Sequence, residues 1–110
     1  MVEITYKRDY LPHNYIGYHL HATGHAGYSK NGEDDIVCAS VSALFYTLAN
    51  YLEYIGAEDL EGTDEGDFKI DCKALFHDKA VHTSFRMMVF GLQLIAEQYP
   101  DNVNVDVIES

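Results

Sequence analysis

Cysteine and basic residues are scarce in this sequence, and each scarcity excludes a class of protein. The chain has only two cysteines, Cys38 and Cys72, which are too few for the disulfide framework of a small secreted domain. Lysine and arginine number 7 against 18 acidic residues, so the formal net charge is −11. Because such a surface repels phosphate backbones, we expect no direct nucleic-acid binding and an attraction for basic partners.

Signals for export and membrane insertion are also missing. Residues 1–7 alternate apolar and polar side chains and do not resemble a signal peptide. No apolar run approaches the length needed to span a membrane. These features predict a cytoplasmic protein without a membrane partner, and the length predicts one domain over residues 1–110.

Alternating apolar residues predict four strands, at about residues 2–7, 15–23, 68–74 and 103–107. A break is expected over residues 9–14, which include Pro12. The acidic residues 57–66 indicate an exposed connection. In the second strand, His19 and His21 lie on the polar face, which is either solvated or part of a dimer contact.

Two helices are predicted, over about residues 35–55 and 78–98, because apolar residues recur at steps of three and four. The element order ββαβαβ indicates an α+β domain of two layers, with both helices packed on one face of a four-stranded sheet. The predicted core stripes are Val37, Val41, Leu44, Leu48, Tyr51 and Ile55 in the first helix and Val81, Phe85, Met88, Leu92, Ile95 and Tyr99 in the second.

Cys38 and His25 are the main candidates for chemistry. Cys38 lies in the first turn of the first predicted helix, where free N–H groups and the helix dipole favour a thiolate, and His25 precedes it by one glycine-rich loop. A nearby histidine can also activate a cysteine. The alternative is a structural cysteine beside an incidental histidine. The acidic residues 33–35 favour this alternative, because their negative charges oppose a thiolate.

The other candidates favour structural roles. Cys72 shares a strand face with Phe68 and Ile70, which indicates an inert core cysteine. His19 and His21 could present two imidazoles to one metal, but no matching cysteine or carboxylate follows at typical spacing, so no metal or other cofactor is expected.

The residues around His25 and Cys38 resemble the signature of the ribosomal-processing cysteine proteases, the Prp family. The resemblance rests on Gly24-His25-Ala26-Gly27-Tyr28, then Gly32, then Asp35-Ile36-Val37-Cys38-Ala39 followed by Val41-Ser42-Ala43-Leu44. Residues 4–9, Gly91-Leu92 and Tyr99-Pro100 are also similar, so it covers essentially the whole domain. Glu33 and Asp34 stand between Gly32 and Asp35 where one residue is expected, which leaves open whether Asp34 or Asp35 caps the helix.

The resemblance implies a cytoplasmic cysteine protease domain that forms a homodimer and has a substrate-ordered loop near the active site. Its substrate would be an N-terminally extended large-subunit ribosomal protein, L-twenty-seven, cut after a hydrophobic residue. Carried over by motif position, the nucleophile is Cys38 and the base is His25, with Gly24, Asp35 and Ser42 in supporting positions.

The charge of the chain agrees with a basic substrate. A protein with a net charge of −11 attracts a basic ribosomal protein but is repelled by a finished ribosome. This predicts cleavage before or early in ribosome assembly. In the cleavage reaction, N–H groups at the helix start, including those near Cys38, are candidates to bind the oxyanion. The alternative function is a non-catalytic acidic adaptor that binds a basic ribosomal protein.

Overall fold

In the part of the chain that the structure describes, the fold consists of a mixed five-stranded sheet and two helices. A computed structural model of the protein describes residues 1–25, 27, 35–64 and 67–109. The elements in chain order are β1 (Val2–Leu11), a short 3₁₀ turn (Pro12–Asn14), β2 (Tyr15–Thr23), α1 (Ile36–Tyr54), β3 (Glu58–Thr63), β4 (Phe68–Leu75), α2 (Lys79–Gln98) and β5 (Val103–Glu109).

The strands are ordered β3-β4-β2-β1-β5 across the sheet. β1 and β2 form an antiparallel hairpin that pairs from Glu3 with Thr23 to Leu11 with Tyr15. β4 lies antiparallel to β2 on one side, and β5 lies parallel to β1 on the other. The hairpin therefore occupies the centre of the sheet, and its open end, where β2 finishes, leads toward α1.

The hydrophobic core lies between one face of the sheet and the two helices. All four strands predicted from alternation contribute to it, and the buried side chains of β2 are Ile16, Tyr18, Leu20 and Ala22. The opposite sheet face carries Gly17, His19 and His21. The α+β class and the placement of both helices on one sheet face are thus as predicted.

The prediction of a four-stranded sheet in the order ββαβαβ is wrong, because β3 lies in the segment interpreted as an exposed connection. β3 pairs with β4 at the sheet edge, and among its residues only Leu60 is even half-buried. Its pairing is reinforced by the Lys73 ammonium, which lies 3.2 Å from the Asp59 carboxylate. An exposed acidic edge strand has no alternation to detect and resists pairing with other chains.

The predicted break over residues 9–14 begins too early. β1 continues through Leu11, and the chain reverses over Pro12–Asn14. His13 and Asn14 adopt positive φ values of 64° and 65°, so they close the hairpin in the left-handed region. The strand therefore ends at Pro12, which has no backbone N–H to donate to a neighbouring strand.

The core stripes differ from the predicted ones at two positions in α1 and at one position in α2. In α1, Phe45 and Leu52 are buried in place of Leu44 and Tyr51, because three- and four-residue steps fit either choice. In α2, Val89 is fully buried and Met88 only partly. Leu44 instead faces α2, where it lies so close to Gly91 that a Cβ there would be 3.1 Å from its Cδ1.

By length and composition alone, α1 is apolar enough to cross a membrane, contrary to the expectation that no apolar run has this length. The packing of α1 instead gives it the role of a core helix. Five of its side chains are buried in the core against the sheet: Val37, Val41, Phe45, Leu48 and Leu52.

Candidate active site

The end of β2 positions His25. The chain leaves the strand at Thr23 and turns at Gly24, whose φ of +88° is unfavourable for other residues. A Cβ on Gly24 would also collide with the backbone carbonyl oxygen of Met1. Gly24 therefore lets the end of β2 pass close to the backbone of Met1. Its backbone conformation also sets the direction of the chain at the next residue, the exposed His25.

The N-terminus of α1 positions Cys38. Asp35 caps the helix, and its Oδ1 accepts hydrogen bonds from the backbone N–H groups of Val37 and Cys38, both at 3.0 Å. Of the two candidate aspartates, Asp35 is therefore the cap. Val37 is buried in the core while Cys38 is half-buried, so the thiol lies at the border between the core and solvent.

His25 and Cys38 line one pocket of about 210 Å³ between the end of β2 and the start of α1. Gly24 and Ser42 line it as well, so four of the five predicted site residues meet there. Asp35 lies behind the pocket as the cap of α1. The remaining walls come from Val2, Ala22, Val41 and Phe68.

The predicted oxyanion donors are engaged elsewhere in this conformation. The N–H groups of Val37 and Cys38 donate to Asp35, so they can bind an oxyanion only if the carboxylate releases them. The same carboxylate brings negative charge to the helix end where a thiolate would form, which offsets part of the dipole effect.

The two serines near Cys38 differ. The hydroxyl of Ser40 donates to the carbonyl oxygen of Ile36 at 2.7 Å, which is the usual bond of a serine within a helix. Ser42, one turn after Cys38, lines the pocket. Tyr28 and residues 29–34, where the substrate-ordered loop is expected, lie outside the residues that the structure describes.

Cys72 has the core environment predicted for it. Its side chain is 5% exposed, and burial, reinforced by the charges of Asp71 and Asp78, raises the pKa of its thiol to about 12. Both cysteines are free thiols. The protein thus contains one cysteine at a pocket and one that is chemically inert at neutral pH.

A second, larger groove of about 580 Å³ runs beside the pocket, between α1 and the β3–β4 hairpin. Phe68 belongs to both, and its ring packs against Phe45 and Tyr46 with centroids 5.2 Å and 5.3 Å away. Sequence reasoning missed Phe68 as a site residue because its alternation in β4 indicated only core packing. The acidic side chains of Glu53 and Asp64 lie along this groove.

On the open face of the sheet, the structure brings His19 and His21 to a carboxylate that sequence reasoning missed. Oδ1 of Asp71 lies 2.6 Å from Nδ1 of His19 and 2.8 Å from Nε2 of His21. No local pattern in the sequence signals this contact, because Asp71 is opposite His19 only through the β2–β4 register. The hydrogen bonds from both histidines lower the pKa of Asp71 although burial opposes the shift.

Comparison with protein families shows that residues 1–104 match the family described as cysteine protease Prp. A search of the curated proteins finds no significant match.

Several solved structures share the fold over nearly the whole chain. The ribosomal processing protease Prp from S. aureus in complex with a substrate peptide is 22% identical, covers 97% of this chain and 99% of its own, and has a TM-score of 0.73. The same protease with a covalently linked product peptide has a TM-score of 0.71 at the same identity and coverage. SMU.848 from Streptococcus mutans is 29% identical, covers 100% of this chain and 96% of its own, and has a TM-score of 0.72.

Proposed function

The chain belongs to the cysteine protease Prp family, and from this premise we propose that it is an endopeptidase whose catalytic dyad is Cys38 and His25. One observation carries the proposal. The cysteine and histidine that match the family signature line the same pocket, although they come from separate elements. The buried Cys72 has no comparable access to a substrate.

The chemistry follows from these two groups. His25 takes the proton from Sγ of Cys38, and the thiolate attacks the carbonyl carbon of the scissile bond. The tetrahedral intermediate collapses to a thioester on Cys38 while His25 gives its proton to the leaving amine. His25 then activates a water that hydrolyses the thioester and restores the thiol. We propose that Asp35 releases one N–H for the oxyanion when substrate binds.

The proposed substrate is a large-subunit ribosomal protein, L-twenty-seven, with a short N-terminal extension. The net charge of −11 supports a basic substrate. The groove next to the pocket supports cleavage after a hydrophobic residue, since Phe68 offers an apolar wall to an extended peptide at the point where the two join. The structure of the S. aureus protease with a covalently linked product peptide fits a thioester-forming mechanism. Cytoplasmic cleavage before or early in ribosome assembly is part of this proposal.

A homodimer is the proposed assembly. Met87, Phe90 and Leu94 recur at helical spacing on the outer side of α2 and are 60%, 62% and 45% exposed. Apolar residues grouped in this way favour contact with another protein surface. Phe90→Glu should convert a dimer to a monomer in sedimentation equilibrium, whereas Phe76→Glu, in the β4–α2 turn, should leave the mass unchanged. A wild-type monomer would contradict the assembly without affecting the protease proposal.

The function is tested by incubating the purified protein with the extended ribosomal protein and measuring intact masses. We expect the substrate to lose its N-terminal extension, with a new N-terminus after a hydrophobic residue. A ribosomal protein that already lacks the extension is the control and should keep its mass. If the extended protein binds tightly but keeps its full mass, the adaptor alternative is favoured instead.

A further inference from the structure

The open face of the sheet carries a cluster of ligating side chains that the proposed dyad does not use. It consists of His19 and His21 on β2 and Asp71 on β4. One ligand atom from each lies within 4.8 Å of the other two. The side chains are 32%, 40% and 30% exposed, so water and ions reach them while the strands hold their backbones in place.

The register of the sheet builds this cluster. His19 and His21 point to the same face because they are two residues apart on β2, and Asp71 is paired directly with His19. Gly17, the preceding residue on that face, keeps the space beside His19 open, since a Cβ there would lie 3.2 Å from its Nε2. This space admits the carboxylate of Asp9 from β1.

The carboxylate of Asp9 lies where it can orient the His19 ring within the cluster. Nε2 of His19 lies 3.0 Å from Oδ1 of Asp9, and this oxygen is buried without an aligned hydrogen bond among the described residues. An imidazolium at His19 would donate to both carboxylates, whereas a neutral ring donates to one of them and turns the lone pair of its other nitrogen toward the second. If a cation replaces the proton on Nδ1, Nε2 carries the proton and donates to Asp9, as in carboxylate–histidine–metal triads.

We propose that His19 Nδ1, His21 Nε2 and Asp71 bind a zinc ion, with Asp9 orienting His19 and water completing a tetrahedral site. Two histidines and one carboxylate are a ligand set that zinc accepts. Ligand atoms around a tetrahedral zinc are roughly 3.4 Å apart, so the 2.6 and 2.8 Å contacts must widen by less than about 1 Å, which small rotations of part-exposed side chains provide. The ion would join β2 to β4, and the acidic surface would attract it.

Zinc binding is tested by isothermal titration calorimetry with zinc chloride on tag-free protein. Because a cysteine–histidine pair can bind zinc by itself, the parent for the titrations is Cys38→Ala. We expect one zinc per chain, an affinity at least about tenfold lower when Asp71→Asn is added, and no change when His77→Gln is added instead. His77 is exposed in the β4–α2 turn and serves as the matched histidine control.

A second measurement guards against a folding defect in Asp71→Asn. In NMR spectra of the Cys38→Ala parent, zinc should shift the ring signals of His19 and His21 and leave those of His77 in place. Equal zinc affinity in the parent and Asp71→Asn, unshifted His19 and His21 signals, or no saturable binding at millimolar zinc would each overturn the proposal. None of these outcomes bears on cleavage by Cys38.

Discussion

The backbone N–H of Cys38 donates to the carboxylate of Asp35 at 3.0 Å, so the proposed nucleophile is joined to the cap of its own helix. This bond fixes the start of α1 and thereby the position of the cysteine. It also holds a negative charge beside the site where a thiolate must form. Asp35 thus stabilises the start of the helix and at the same time places a carboxylate next to the proposed nucleophile.

Substitution of Asp35 separates these two effects. Asp35→Ala should lower the free energy of unfolding by about 0.5–2 kcal/mol because the cap is lost. Asp35→Asn should keep most of that stability, since asparagine also caps helices, and should make Cys38 react several-fold faster with iodoacetamide at neutral pH. Urea unfolding and alkylation rates measure the two effects.

Asp78→Ala is the matched control for the Asp35 variants, because Asp78 caps α2 through a bond from Val81 N–H at 3.1 Å. It should cost comparable stability without altering the alkylation rate of Cys38. If Asp35→Asn reacts no faster than the wild type, the carboxylate does not restrain the thiolate.

Alkylation should also distinguish the two cysteines of the native protein. Cys38 borders a pocket, whereas burial raises the pKa of the Cys72 thiol to about 12. Peptide mapping after brief iodoacetamide treatment at neutral pH should therefore find the label on Cys38 and almost none on Cys72. Equal labelling of both cysteines in folded protein would contradict the assigned environments.

The sequence predicts the elements that bury an apolar face, and it fails where a strand is exposed on both faces or where helical spacing allows two choices. β1, β2, β4, β5 and both helices are recognised by their periodicity, which reflects burial directly. β3 is not predicted because its pairing relies on backbone hydrogen bonds at an exposed sheet edge, which leave no pattern in the side chains. The sequence does not show whether Leu44 or Phe45 is buried in the core of α1, because both fit helical spacing.

The candidate site divides in the same way. His25 and Cys38 are found from a local motif, and their common pocket follows once β2 and α1 are placed. The Asp35 cap is visible from the sequence as one of two alternatives. Phe68 and the partnership of Asp71 with His19 are not visible, because each depends on contacts between distant segments that only the sheet register defines.

Gly24→Ala should damage both stability and cleavage. The positive φ of +88° and the collision with the Met1 carbonyl together should cost about 1–3 kcal/mol of unfolding free energy. The displaced strand end should also move His25 and slow the cleavage of a substrate peptide.

Gly56→Ala is the matched control for Gly24→Ala. Gly56 has a similar φ of +74°, and a Cβ there meets nothing within 4 Å. It should lose stability through backbone strain alone and keep its cleavage rate. If Gly24→Ala cleaves as fast as Gly56→Ala, Gly24 does not position His25 for the proposed catalysis.

His82 should make the fold less stable under mildly acidic conditions. Burial, together with the positive charges of Arg8 and Arg86, lowers its pKa below the ordinary 6.5, and its Nδ1 faces Arg8 Nη1 at 3.1 Å. The unfolded chain therefore takes up the proton first. The contribution of His82 to the free energy of unfolding is complete above pH 6.5. It is lost as the pH falls toward the lower pKa of His82 in the folded state.

Urea unfolding at about pH 7.5 and about pH 5.5 compares the free energy of unfolding above and below the unfolded-state pKa of His82. The wild type should lose more stability between the two than His82→Gln, whose amide oxygen can still accept a hydrogen bond from Arg8. The comparison cancels contributions from the other histidines. An equal loss in both proteins would show that His82 does not titrate as inferred.

Single-turnover cleavage of the extended ribosomal protein by four enzymes tests whether Cys38 and His25 form the catalytic dyad. The enzymes are the wild type, Cys38→Ala, His25→Ala and Cys72→Ala, each confirmed as folded by circular dichroism. We expect cleavage by the wild type and Cys72→Ala, no detectable product with Cys38→Ala, and a rate reduced by at least about 100-fold with His25→Ala. Product formation by purified Cys38→Ala at the wild-type rate would contradict this dyad.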